Sequence, residues 1–286
     1  MTDILVNIIC IFLLIAAVYL LMIMPRMSNF EARKPFVRHK FFAHRGLHNN
    51  DGDNPENSMK AFRMAVETGF GIELDVQRTK DGVPVIFHDF TLDRMCHREG
   101  RLDTFTYEEL QELRLGNSDE RIPRLDEFLE MVNGRVPLIV EFKIDNTDMT
   151  LCTIVDKMLR DYKGLYCIEC FNSFPVMWFR RHHKEVVRGQ LADAFIRTRE
   201  YTKPLFFFVQ NLLFNCLSKP DFVAYNHLNE NVLSRRLCRN LFKNTAAAWT
   251  IQSSEDLLTA KDQFDIFIFD SFIPSDAEIQ MLKGEE

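Results

Sequence analysis

The stretch "IELDVQRTKDGVPVIFHD", residues 72–89, decides how the rest of the chain is read. Its start alternates: Ile72, Leu74 and Val76 share one face of an extended strand, and Glu73 and Asp75 share the other. The run "VPVIFHD" (83–89) follows too soon for a parallel crossover, which needs about a dozen residues or more. Asp81-Gly82 is a two-residue turn signal, so the spacing predicts a hairpin. In that register Lys80 opposes Val83, and His88 returns opposite Asp75.

Outward from this hairpin, short apolar runs alternate with amphipathic stretches. The other predicted strands are "FFA" (41–43), "LIVEF" (138–142), "YCIEC" (166–170), "RGQLA" (188–192), "FVAYN" (222–226), "AAAWTI" (246–251) and "IFIFD" (266–270). Between them, "NSMKAFRMAVETG" places Met59, Phe62, Ala65 and Val66 near a 3.6-residue period, with Gly69 as a stop. "YEELQEL", "LDEFLEMV" and "SSEDLLTA" read as helices too. Eight strands alternating with helices predict an α/β fold, a (β/α)8 TIM barrel with the hairpin at its mouth. A doubly wound open sheet is the alternative.

The N-terminus divides from this domain by composition. Residues 4–24 carry no formal charge and are mostly Ile, Leu, Val, Ala and Met. A helix of about 20 such residues spans a bilayer core. Asp3 before the run and Met-Ile-Met-Pro-Arg after it fit an uncleaved anchor better than a signal peptide. The expected division is a transmembrane anchor at 1–25, a basic juxtamembrane linker at 26–40 and the barrel at 41–286. Arg26, Arg33, Lys34, Arg38 and Lys40 follow the span, which places the barrel in the cytoplasm by the positive-inside tendency. The net charge of −6 gives no general affinity for nucleic acid. Seven cysteines form neither a disulfide framework nor a zinc pattern, and Cys167 and Cys170 read as structural.

Several charged residues sit where strands end. Glu73 and Asp75 sharing a face would repel if buried together, and a divalent cation resolves that conflict. "PLIVEFKID" repeats the pattern, with Glu141 and Lys143 two residues apart near a strand's C-terminal end, where barrel active sites gather. His44 and Arg45 end the first strand before Gly46. In "NPENS", Asn57 or Ser58 suits a helix N-cap, and a site role for Glu56 or Asn57 is equally open. Trp249 suits either the core or a substrate-pocket wall. The remaining histidines, His48 among them, read as surface or core. "PLFFFVQNLLFNCL" (204–217) reads as a buried helix, with a membrane-dipping element as the bolder option.

Together these blocks resemble a known family. "AHRGLHNNDGDNPENSMKAFRMAVETGFGIELDVQRTKDGVPVIFHD" is similar to the N-terminal signature of glycerophosphodiester phosphodiesterases. "TLDRMC", "TYEEL", "IPRLDEFL", "PLIVEFK", "AWTI" and "DIFIFD" continue the likeness in order. The likeness covers nearly all the chain from residue 41 and leaves the membrane leader outside it; the overall look is of bacterial anchored members. It implies a barrel that hydrolyses glycerophosphodiesters to glycerol phosphate and an alcohol with Mg2+ or Ca2+. By the same likeness Glu73, Asp75 and Glu141 match metal ligands, His44 and His88 the general acid–base pair, and Arg45 and Lys143 phosphate ligands. The substrate would be a small diester or a lysophospholipid taken near the bilayer. A lyase releasing a cyclic phosphate and a non-catalytic anchored binding protein are the competing readings. Two departures stand out: a long loop between Gly46 and Pro55, and "ECFN" (169–172), where a serine-containing version is common.

Overall fold

The computed structural model describes residues 2–196, 204–229 and 231–284. Nine strands form in chain order: β1 (Phe41–His44), β2 (Gly71–Arg78), β3 (Pro84–Ile86), β4 (Leu138–Phe142), β5 (Tyr166–Cys170), β6 (Arg188–Ala192), β7 (Phe222–Asn226), β8 (Thr245–Ile251) and β9 (Ile266–Phe269). Eight are parallel and run in the order β1-β9-β8-β7-β6-β5-β4-β2, and β1 pairs with β2 to close the barrel. The ninth, β3, lies antiparallel on β2. The expected TIM barrel with a hairpin is the observed fold.

The hairpin register differs from the expected one by one residue. Val76 pairs with Ile86 and Gln77 with Val85, which brings Phe87, not His88, opposite Asp75. The loop holds three residues rather than two. Thr79 Oγ1 accepts the Val83 N–H at 2.9 Å, and Gly82 takes up the third position at φ 87°. His88 reaches the mouth by another route. β3 ends at Ile86, and the Gln77 side chain donates to the carbonyls of Phe87, His88 and Asp89, folding that segment over the strand end.

Apolar side chains fill the lower barrel in alternating sizes. Gly189 carries no side chain because the Phe222 ring occupies the space a Cβ would need. With Phe42, Ile139, Cys167, Leu191, Ala224, Ala247, Ile266 and Ile268 this forms the interior cluster. Cys170 faces the outer helices instead, so the CxxC cysteines point to opposite sides of β5.

The stretch 26–40, read from its cations as a linker, carries helix α2 (Phe30–His39). Phe36, with Ala32 and Val37, packs on the interior cluster at the N-terminal end of the strands and plugs the barrel. Arg33 is buried and donates to the Asp221 carbonyl at 2.7 Å, while Arg26 pairs with the Asp221 carboxylate at 3.4 Å. Pro35 inside the helix and five cations in fifteen residues hid this cap from the sequence pattern.

Helix α1 (Thr2–Ile23) holds a candidate membrane span, Asp3–Ile23, of mean hydropathy 3.0. Its C-terminal part touches the barrel: Tyr19, Leu20 and Met22 pack on the core, and Asn215 and Cys238 both donate to the Ile23 carbonyl. The run 204–217 forms two short helices, Pro204–Gln210 and Asn215–Ser218, split at Leu212 with φ 55°. It is not one buried helix, since Leu205, Phe207 and Leu217 are about half exposed.

Candidate active site

Strand register explains why the chosen residues meet. His44 on β1 pairs with Glu73 on β2, and Asp75 pairs with Glu141 on β4. Glu73, Asp75 and Glu141 thus point into the barrel at the C-terminal end, with one oxygen from each within 4.8 Å of the others. All three are buried. Burial pushes Glu73 well above the usual carboxylate range, and the neighbouring Asp75 and Glu141 charges add to it. Burial likewise lifts Glu141, to about 7. Asp75 goes the other way: burial opposes its charge, but Lys143, His88 and Arg45 hold it well below the ordinary value.

The Lys143 ammonium lies 3.0 Å from Asp75 and 2.6 Å from Glu141. A positive charge is therefore already seated between two of the three carboxylates. Three convergent carboxylates are oxygen-only donors, the chemistry that suits a hard divalent cation. Arg45 stands opposite, with Nε 3.3 Å from Asp75 and Nη1 2.8 Å from Glu56. Its backbone is left-handed at φ 56°, fixed by an N–H that donates to the Glu73 carbonyl at 2.9 Å.

Each expected acid–base histidine has a carboxylate behind it. His44 Nδ1 lies 2.7 Å from Asp270, and His88 Nδ1 lies 2.6 Å from Asp89. Both carboxylates are held ionised: burial opposes them, and the histidines lead in drawing them well below the ordinary range. An ionised carboxylate only accepts, so each Nδ1 carries the proton and each Nε2 is left free for a ligand. His44 Nε2 is turned toward Glu73 at 4.0 Å. Burial lowers both imidazole pKa values; Arg45 adds to the shift for His44 and Lys143 for His88.

Behind these lies a layer the sequence reading did not assign. Arg94 donates to Asp89 at 2.7 Å and to Glu56 at 2.6 Å. Burial opposes the Glu56 charge, yet Arg94 and Arg45 bring it down to about 2. The open choice in "NPENS" resolves cleanly. Ser58 caps the helix α3 (Met59–Thr68), and Asn57, buried with φ 57°, donates to Asp75 at 2.8 Å. Gln252 and Ser271 both donate to Asp270. His48, set aside as surface or core, sits 4.0 Å from Asp270 beside His44. Two local signals were available: an acid directly after His88, and an acid ending the last strand. Trp249 stands on β8 with its ring edge-on to Phe171 at 5.5 Å, and Lys143 lies over the Phe171 ring at 6.0 Å.

With this geometry in place, comparison with known proteins is specific. A glycerophosphodiester phosphodiesterase from Caldanaerobacter subterraneus subsp. tengcongensis is 40% identical over 147 residues, which cover 47% of this chain and 58% of the relative. Human glycerophosphodiester phosphodiesterase 1 is 36% identical over 152 residues, covering 50% of this chain and 44% of the relative. The chain thus spans about half the length of these curated relatives. The fold matches an Oleispira antarctica phosphodiesterase solved with the product sn-glycerol-3-phosphate, at TM-score 0.67 and 22% identity, over 85% of this chain and 96% of that one. Residues 44–254, which begin at His44 and take in every strand from β2 to β8, match the glycerophosphoryl diester phosphodiesterase family, and the chain belongs to that family.

Proposed function

We propose that this protein hydrolyses glycerophosphodiesters to glycerol 3-phosphate and an alcohol. The observation that carries the reading is the pair of carboxylate-backed histidines flanking one carboxylate cluster with Arg45 and Lys143. Glu73, Asp75 and Glu141 would hold a divalent cation, Mg2+ or Ca2+, which when bound would draw charge from the phosphate oxygens. Arg45 offers a guanidinium to the same phosphate, and Lys143 moves its ammonium from the carboxylates toward it. One free imidazole Nε2 accepts the nucleophile's proton; the other, protonated, delivers one to the leaving oxygen. Trp249 and Phe171 form an apolar wall for the alcohol side of the diester.

A lysophospholipid substrate is supported by the path of α1. Tyr19 meets Ser234, and one turn later Ile23 meets Cys238, one turn further along the helix Leu233–Asn240. That helix leads from the C-terminal end of β7 back to the start of β8. The last turn of α1 runs beside it in the same direction, so the rest of α1 departs toward the barrel mouth. A bilayer around α1 would lie on the side where the site opens. The basic flank then puts this side, and the barrel, on the cytoplasmic face.

The test is product analysis on the full chain with glycerophosphocholine and with lysophosphatidylcholine in vesicles, run in 18O-labelled water. The proposal predicts glycerol 3-phosphate carrying one solvent oxygen and choline from the soluble diester, and lysophosphatidate and choline from the vesicles. A cyclic phosphate free of label as the end product would identify a lyase instead. Reporter fusions at the C-terminus check the cytoplasmic placement.

A further inference from the structure

One more buried carboxylate lies beside the three already assigned. Glu169 on β5 pairs in register with Glu141, so its side chain points into the barrel in the layer that holds Asp75 and Glu141. It is 1% exposed, and its Oε2 has no hydrogen-bond partner among the described residues. On its other side β6 presents Gly189, where the Phe222 ring fills the space of a side chain and offers no polar partner. The charged groups that act on it are Glu141, Lys143 and Asp75.

We propose that Glu169 is a fourth carboxylate donor of the cation site and biases it toward Ca2+ over Mg2+. This rests on the cation reading above and goes beyond its three ligands. Ca2+ accepts about 6–8 oxygen ligands in flexible geometry, whereas Mg2+ keeps several waters and an octahedron, so an added carboxylate favours Ca2+. The stretch 169–172, where a serine-containing version is common in the resembling sequences, thereby carries a determinant of metal choice.

Calorimetric titration of the full chain in detergent, with CaCl2 and MgCl2 separately, tests it. Glu169→Gln and Glu169→Ser should each weaken Ca2+ binding by about tenfold or more, and Mg2+ binding by less, narrowing the preference. Glu141→Gln should weaken both ions further. The Glu169 variants should melt at or above wild-type temperature in EDTA, since they remove an unpartnered buried acid, which excludes misfolding as the cause. Affinities within twofold of wild type in the Glu169 variants, with Glu141→Gln still impaired, would overturn the proposal. Equal weakening of both ions would overturn its selectivity half. If Glu141→Gln also leaves binding intact, the cation reading itself fails.

Discussion

The two ends of the barrel are built from the same eight strands and differ in what those strands carry. At the N-terminal end, Phe36 from α2 closes over Phe42, Phe222 and Ile266, and the charged groups there, Arg33 and Asp221, are tied to each other's chain segments. At the C-terminal end, three inward carboxylates converge beside two cations, with two histidines braced from behind. One end is closed by apolar side chains; the other concentrates like charge and leaves acceptor atoms free. Stability resides in the first and chemistry in the second, so substitutions at the two ends should separate folding from activity.

The sharpest separation comes from the histidines. His44→Ala or His88→Ala should lower kcat/KM for a glycerophosphodiester by about 10²–10⁴, with a melting temperature equal to or above wild type. A variant that lost stability along with activity would blur the distinction. Next is the opposite end. Phe36→Ala should destabilise the protein by about 3–5 kcal/mol in denaturant titration, while the folded fraction keeps wild-type specific activity. An activity loss beyond the folded fraction would mean that the plug communicates with the site.

A smaller effect is expected at Asp270. Asp270→Asn removes the carboxylate charge that holds the proton on His44 Nδ1, and should cost about tenfold to a hundredfold in kcat with a shifted pH profile. Unchanged pH dependence would make Asp270 a packing residue. The smallest effect is a slope. Glu73, Glu141 and Glu169 have folded pKa values above their unfolded ones, so the folded state binds extra protons, and stability falls as pH rises through the folded values. From pH 7 to 8, above the histidine range, the metal-free protein should lose on the order of 1 kcal/mol, measured by thermal melts in EDTA. Added Ca2+ should flatten that slope, because it favours the ionised acids.

What was legible beforehand follows the same division. The alternation of apolar runs and amphipathic stretches revealed the barrel because parallel strands are apolar and helices keep their period. Glu73 with Asp75, and Glu141 with Lys143, were visible because two-residue spacing on a strand fixes a shared face. The cap α2 was not visible, since its apolar side is only three residues wide and Pro35 interrupts it. The hairpin register was misread at Thr79, whose hydroxyl bridges to Val83 and admits a third loop residue. Asp270, Asn57 and Arg94 reach His44, Asp75 and Glu56 across long separations, so only folding brings them together, whereas Asp89 directly after His88 was a local signal left unread.

The central claim is that the charged rim works as a cation-assisted phosphodiesterase centre. The direct measurement is glycerol 3-phosphate release from glycerophosphocholine by the full chain, followed through chelation and readdition of Mg2+ or Ca2+. Activity that vanishes in EDTA, returns with the cation, and is absent in Glu141→Gln and His44→Ala is the predicted result. Release that continues in EDTA, or survives both substitutions, would contradict it.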